Sequence, residues 1–245
     1  MNAKRYRVRK NLLGGLLMEV KSVAVIGAGR MGSLIASKLP TEMKKIVIDK
    51  DRDKAREVAE QVEAEYSDKI EMAAAADMIM MVLPTPTIKE MVGKLMDVVK
   101  DGTTILNMAT TAQIEPAMVL NNRDIAIIDT KIIGHAKEIF RGEPAIIVVN
   151  TADEARFAAI ANVLKKFYKV VQGDSSLVET INSLASSEGI KAAVAIRKKL
   201  QTLNVDNDWI NVAIRTVCAG TMKAFTEDDL GHFARELVKK LEQED

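Results

Sequence analysis

The chain has 245 residues, 48% hydrophobic and 28% charged, enough apolar material for one large folded domain or two modest ones. Its 35 Lys and Arg nearly balance 34 Asp and Glu, which excludes the basic surface of a dedicated nucleic-acid binder and any general attraction to anionic membranes. A single cysteine, Cys218, allows neither an intramolecular disulfide nor a cysteine-rich zinc site, and with only His135 and His232 no metal centre is expected. No apolar run approaches the ~20 residues of a bilayer span. The expectation is a cytoplasmic protein that acts on a small molecule.

Residues 1–17 carry five basic side chains ahead of a short Leu/Gly segment. The apolar part is too short for a signal peptide and no small-residue cleavage site follows, so this stretch reads as a flexible extension. From Val20 the chain alternates. Ser22–Ile26 is a β-branched strand, Met31–Leu39 has helical spacing up to Pro40, Lys45–Asp49 is a second strand, and Arg52–Glu65 a polar helix. Met78–Leu83 is a third strand, then come Pro84, Pro86 and a helix over Ile88–Val99. Strands follow at Thr103–Asn107, Ile125–Asp129, Ala145–Val149 and Tyr168–Gln172, with a helix over Asp153–Phe167 before the last of them. Continuously apolar strands separated by amphipathic helices imply an α/β fold, a doubly wound, mostly parallel Rossmann-type sheet covered on both faces. After Gly173 the periodicity is helical throughout: Leu177–Leu203, Trp209–Lys223 and Glu227–Leu241, with Thr226 as the expected N-cap of the last. The sequence therefore divides into an extension (1–17), a dinucleotide-binding domain (18–173) and a helical domain (174–245) expected to complete the substrate cleft and to dimerise. Trp209, Ile210, Ile214 and Val217 form an apolar stripe suited to a core or a subunit interface.

The sharpest motif is Gly27-Ala28-Gly29-Arg30-Met31-Gly32, between the first strand and the first helix. In G-x-G-x-x-G the first glycine permits the tight turn, the second lets a pyrophosphate approach the backbone, and the third lets helix and strand pack closely. The helix start then offers N–H groups and a favourable dipole to the phosphates. Asp49 ends the second strand, about twenty residues on, where a carboxylate accepts from the adenosine ribose hydroxyls and repels a 2′-phosphate. NAD is thus expected over NADP, although Lys50 and Arg52 follow closely and would suit a phosphate if Asp49 turned away. Leu83, Pro84 and Thr85 lie at a strand's carboxyl end, where open α/β sheets bind ligands; the prolines also simply fix the strand exit.

On these residues the chain resembles the β-hydroxyacid dehydrogenase superfamily, which includes 3-hydroxyisobutyrate and 6-phosphogluconate dehydrogenases and the imine reductases. GAGRMG at Gly27–Gly32 matches the family's G-x-G-x-M-G, and MVLPTP at Met81–Pro86 resembles its cofactor loop. NMATT at Asn107–Thr111 is similar to its D-x-S-T segment, with Thr110 retained and Asn107 and Ala109 substituted. The stretch Ile127–Val148 resembles the family's substrate-acid-binding run: Asp129 and Gly134 match, whereas Ile133 and His135 replace a serine and a glycine. FTEDDLGHFAREL resembles the family's late K-D-L helix. The resemblance implies hydride transfer between a nicotinamide and a small carbonyl, alcohol or imine.

One departure stands out. Where the hydroxyacid dehydrogenases carry a catalytic lysine on the first helix after the sheet, this chain aligns Glu179, and the asparagine that follows the lysine falls one residue early at Asn182 or is replaced by Ser183. Imine reductases also lack the lysine and often have an acid there. The remaining acid–base candidates are His135, which also suits a helix cap, and Lys131, which also suits a snorkelling surface lysine. The candidate catalytic set is Glu179, Asn182, His135 and Lys131. Competing readings are a dinucleotide-binding regulator without turnover and a prephenate- or pyrroline-carboxylate-type reductase.

Overall fold

The structure is a computed structural model that describes residues 9–10, 16–114 and 123–243. The chain forms two compact units, Met1–Asn182 and Ser183–Asp245.

The first unit is built on one sheet. Arg9–Lys10 (β1) and Leu16–Leu17 (β2) form a separate antiparallel pair. Ser22–Ile26 (β3) and Lys44–Ile48 (β4) flank Arg30–Lys38 (α1), and Arg52–Val62 (α2) leads to Glu65–Ser67 (β5). Met78–Met81 (β6), Ile88–Val98 (α3), Thr104–Asn107 (β7), Ala126–Ile133 (β8), Ala136–Phe140 (α4), Ile146–Val149 (β9), Glu154–Val163 (α5) and Lys169–Gln172 (β10) complete it. The strand order is β10-β9-β8-β7-β6-β3-β4-β5. Every pairing is parallel except β8 with β9. The order reverses at β3, which pairs with β4 on one side and β6 on the other, and this switch point opens a crevice at the strands' carboxyl ends.

Two apolar layers cover the sheet. On one face Leu34 and Ile35 of α1, Ala55 and Val58 of α2 and Ile160 of α5 pack on Val23, Val25, Val47 and Met80. On the other, Ile88, Val92 and Leu95 of α3 pack on Ala24, Ile26, Ile79 and Ile105. All four residues of β6 are fully buried, as a strand covered on both faces requires.

Several boundaries depart from the sequence reading. The second helix stops at Val62 because Glu63 adopts a left-handed conformation (φ 54°), and the chain then adds β5 at the sheet edge. Glu65-Tyr66-Ser67 is too short and polar to carry an apolar strand pattern, so β5 has no signature in the sequence. β8 continues to Ile133, its first half pairing with β7 and its second with β9. The compact unit extends past Gly173 to Asn182, since Val178, in the first turn of Leu177–Gln201 (α6), is buried. β2 runs beside α5; the rest of the expected N-terminal extension lies outside the described residues.

The second unit is helical. It holds the remainder of α6, Asn207–Val212 (α7), a π-helical stretch Ala213–Cys218, Ala219–Thr226 (α8) and His232–Leu241 (α9). Thr226 does not cap the last helix. It closes α8, its hydroxyl donating to the Lys223 carbonyl at 2.8 Å, and Gly231 precedes α9 instead. Of the apolar stripe only Ile210 is buried, whereas Trp209 is 73% and Val217 65% exposed. Among the described residues no helix is long and apolar enough to cross a membrane, and no cluster of possible ligands for a metal ion is found.

Candidate active site

Gly27 leaves β3 at φ +106°, its N–H donating to the Ile48 carbonyl at 2.7 Å, and a Cβ there would overlap the Val82 carbonyl. Gly32 lies so close beneath this turn that a Cβ would fall 2.9 Å from the Gly27 carbonyl carbon and closer still to its oxygen. These two glycines are thus required by the fold. Gly29, at the N-cap of α1, is different: its backbone is extended (φ −77°, ψ −175°) and a Cβ would meet no protein atom within 4 Å. That Cβ would stand in the open cleft, so what a side chain there would obstruct is a ligand. The first turn of α1 carries no acid, leaving its N–H groups and dipole to an anion. The residues present fit a dinucleotide.

The crevice runs to both sides of this loop. One arm, of about 840 Å³, is lined by Gly27, Asp49, Lys50, Leu83, Pro84 and Met91 among others. The other, of about 450 Å³, is lined by Arg30, Met31, Pro84, Thr110, His135 and Asn182 among others. Gly29, Leu83 and Pro84 border both. Thr85 lines neither arm; it opens a short 3₁₀ turn before α3, and its hydroxyl pairs with that of Thr111.

Asp49 is fixed by the backbone. Ala28 N–H donates to Oδ2 at 2.7 Å and Asp51 N–H to Oδ1 at 2.9 Å, which ties the carboxylate to the glycine loop and leaves a lone pair on each oxygen for further donors. Lys50 is exposed beside it. Arg52, the second cation that would suit a phosphate, lies over the Tyr66 ring at 5.8 Å, and Lys54 pairs with Asp51 at 3.3 Å.

The four catalytic candidates have different surroundings. His135 is exposed at the N-cap of α4, lines the smaller arm, and makes no side-chain cap bond, so the expected capping role is not the one it has. Asn182 lines the same arm, its Nδ2 donating to the Ile132 carbonyl at 2.9 Å; Ser183 is exposed and begins the next unit. Glu179, one turn before Asn182, is half-buried and close enough to act electrostatically on Lys131. Lys131 is no surface lysine: it is 1% exposed. Its Nζ donates to the carbonyls of Ala109 and, at 2.5 Å, Ala112, with the Asn107 carbonyl at 3.4 Å and Asp129 Oδ1 at 3.6 Å. Burial pushes this ammonium below the usual lysine range, while Asp129 and Glu179 pull it back up.

Asn107 and Asp129 are site residues beyond the candidates that the sequence offers. They are register partners, Asn107 at the carboxyl end of β7 and Asp129 midway along β8 where its pairing with β7 ends, and Asn107 Nδ2 donates to Asp129 Oδ1 at 2.6 Å and to the Ala112 carbonyl at 2.8 Å. Ile114 N–H donates to Asp129 Oδ2 at 3.2 Å. The sequence signal was available: both polar residues end an apolar strand run, and adjacent parallel strands bring such ends together.

Residues 22–174 match the family profile described as the NAD binding domain of 6-phosphogluconate dehydrogenase. The chain belongs to this family. Its first unit is accordingly the NAD(P)-binding domain of an oxidoreductase. Among solved structures it is similar to a Mycobacterium avium 104 protein described as an oxidoreductase, at 26% identity and TM-score 0.67 over 83% of this chain and 76% of that one. A pyrroline-5-carboxylate reductase from Coxiella burnetii shares the fold at 14% identity and TM-score 0.67, over 91% and 85% of the two chains. An imine reductase from Pseudomonas sp. does so at 19% identity and TM-score 0.63, over 86% and 79%. No curated protein matches the sequence. Membership of the family agrees with the sequence-based resemblance and with the expected doubly wound fold.

Proposed function

We propose that the protein binds NAD(H) in preference to NADP(H) and reduces a small C=N substrate in the cleft lined by Thr110, His135 and Asn182. The observation that carries the reading is the crevice itself. It opens at the sheet's switch point, is divided by a glycine whose missing side chain only a ligand needs, and has polar groups clustered at one end. When bound, NAD(H) supplies the hydride chemistry.

The protein supplies binding and charge. Asp49, held by two backbone amides, presents its remaining lone pairs to ribose hydroxyls and disfavours a phosphate there. Arg52 stacks on Tyr66, and Lys54 pairs with Asp51, which further supports NAD. Glu179 places a carboxylate, not a cation, on α6 one turn before Asn182. A carboxylate favours a protonated imine and disfavours an acid substrate, so a cationic or neutral C=N compound fits better than a 3-hydroxy acid. His135, exposed on the cleft wall, is placed to exchange a proton at its imidazole nitrogen with solvent. We also propose that the protein works in the cytoplasm as a homodimer joined through the helices after Asn182. Ile210 is the one buried apolar side chain among the described residues of that unit, while Leu203, Trp209, Val217 and Phe233 are largely exposed.

Turnover tests the reading. A panel of cyclic imines, aldehydes and 3-hydroxy acids, followed by nicotinamide absorbance, is expected to favour the imines. Glu179→Gln should lower imine turnover at least about tenfold, the loss of one charge interaction of ~1.4 kcal/mol, while NADH affinity stays unchanged. Rapid oxidation of 3-hydroxy acids would overturn the substrate class. NADH binding with no turnover on any class would favour the regulator reading.

A further inference from the structure

We propose that Lys131 is a positioning residue, which turns the peptide between Ala109 and Thr110 so that the Thr110 amide N–H faces the smaller cleft as a receiving point for an oxygen acceptor that the substrate carries apart from its reacting C=N group. The nature of the ligand rests on the hydride-transfer reading; the orientation of the peptide does not.

An ammonium has three donors. Those of Lys131 are taken up by the carbonyls of Asn107, the last residue of β7, and of Ala109 and Ala112 on the loop that follows it. No N–H is left over for acid catalysis, and Lys131 lines neither arm of the crevice. Methionine would fill the same volume without the desolvation penalty of a buried charge. What lysine adds is direction. A trans peptide is planar, with its C=O and the following N–H pointing opposite ways. The chain has no cis peptide among the described residues, so drawing the Ala109 carbonyl inward sends the Thr110 N–H outward. Thr110 is exposed and lines the cleft with Leu83, Pro84, His135 and Asn182.

The neighbouring groups hold the loop in the same sense. Asn107 Oδ1 accepts from Ala109 N–H at 3.3 Å, Asp129 Oδ2 accepts from Ile114 N–H, and the Thr111 hydroxyl bonds that of Thr85. The inward groups of the loop are therefore satisfied by Lys131, Asn107 and Asp129, while Thr110 is left facing the cleft. A neutral amide donor there, beside the Thr110 hydroxyl, suits an oxygen carrying partial or full negative charge.

Amide-resolved NMR on the full-length protein tests this without a variant. NADH binding is read from the amides of Ala28 to Gly32, so failure of the cofactor reading would be seen separately. With NADH present, the Thr110 amide should exchange readily with solvent and shift downfield on addition of cyclopentanone or acetate, the carbonyl and carboxylate probes. A Thr110 amide protected from exchange in the free protein would overturn the proposal. So would a shift produced by NADH alone with no further change on adding either probe, which would assign the acceptor to the cofactor. In Lys131→Met, hydrogen exchange across residues 107–112 should accelerate at least about tenfold. Lys131→Met/Asp129→Asn restores charge balance and guards against simple unfolding: it should recover the thermal midpoint but not the protection of the loop. Unchanged exchange in either variant, or protection recovered in the double variant, would refute a positioning role.

Discussion

Replacing Gly29 and Gly32 by alanine, one at a time, separates what the fold needs from what the ligand needs. At Gly32 the new methyl would sit 2.9 Å from the Gly27 carbonyl carbon, against an ordinary contact of about 3.5–4.0 Å. The Gly27 carbonyl oxygen is closer still and is backbone in a turn already fixed by its bond to Ile48, so α1 must move off β3 by more than about an ångström, and such overpacking costs about 1–3 kcal/mol. At roughly 2–4 °C per kcal/mol for a chain of this size, the thermal midpoint of Gly32→Ala should fall by about 2–12 °C. Gly29→Ala meets no protein atom and keeps an extended backbone open to any residue, so its effect on stability should stay within about 1 kcal/mol. Its methyl stands where the pyrophosphate must approach, and NADH affinity should drop about 10- to 100-fold, or about 1.4–2.8 kcal/mol. Thermal unfolding without cofactor and calorimetric titration with NADH measure the two effects independently. If Gly29→Ala bound NADH like the unmodified protein, the reasoning that places the pyrophosphate against this loop would be wrong.

Three further outcomes are expected. The unmodified protein should bind NAD(H) more tightly than NADP(H) by calorimetry, and Asp49→Asn should narrow the difference; a native preference for NADPH would mean that Lys50 and Arg52 govern the pocket. Light scattering at micromolar concentration should give twice the chain mass, and a monomer mass would remove the dimer proposal. Asp77 accepts from the Lys21 and Ser22 amides at 2.9 and 3.0 Å and from Lys100 Nζ at 2.6 Å; burial opposes its ionisation, but these bonds outweigh it and hold its pKa below the usual carboxylate value. The stability it contributes is present above the ordinary Asp pKa of ~3.9 and lost as pH falls through the lower folded value, so Asp77→Asn should flatten the acid limb of a midpoint-versus-pH curve, and superimposable curves would refute this.

Much of the cofactor site was legible because it is local. A glycine turn, the helix it opens and the acid ending the next strand lie within a short stretch, and each residue type there has one physical use: Gly27 for a positive φ, Gly32 for close packing, Asp49 for the strand end. The strands were legible for a similar reason, since burial on both faces leaves an unbroken apolar run such as Met78–Met81. The apolar stripe around Trp209 was legible as a stripe, but not as a surface that this unit leaves mostly exposed.

The polar end of the cleft was harder to read, because its residues are distant in sequence and their surroundings are set by the fold. Nothing local distinguishes a lysine that snorkels from one that is buried; Lys131 is buried because β9 pairs antiparallel with the second half of β8 and the loop after β7 folds over its ammonium. Asn107 and Asp129 meet only because β7 and β8 are neighbours in this register. The sequence by itself determined the alternation of elements and the dinucleotide loop, because periodicity and short-range spacing carry them, and its motifs carried the resemblance to the family. Only the tertiary structure decided that Lys131 holds a loop while Asn182 and His135 face the cleft, because burial and hydrogen-bond partners are properties of what the rest of the chain packs around a residue.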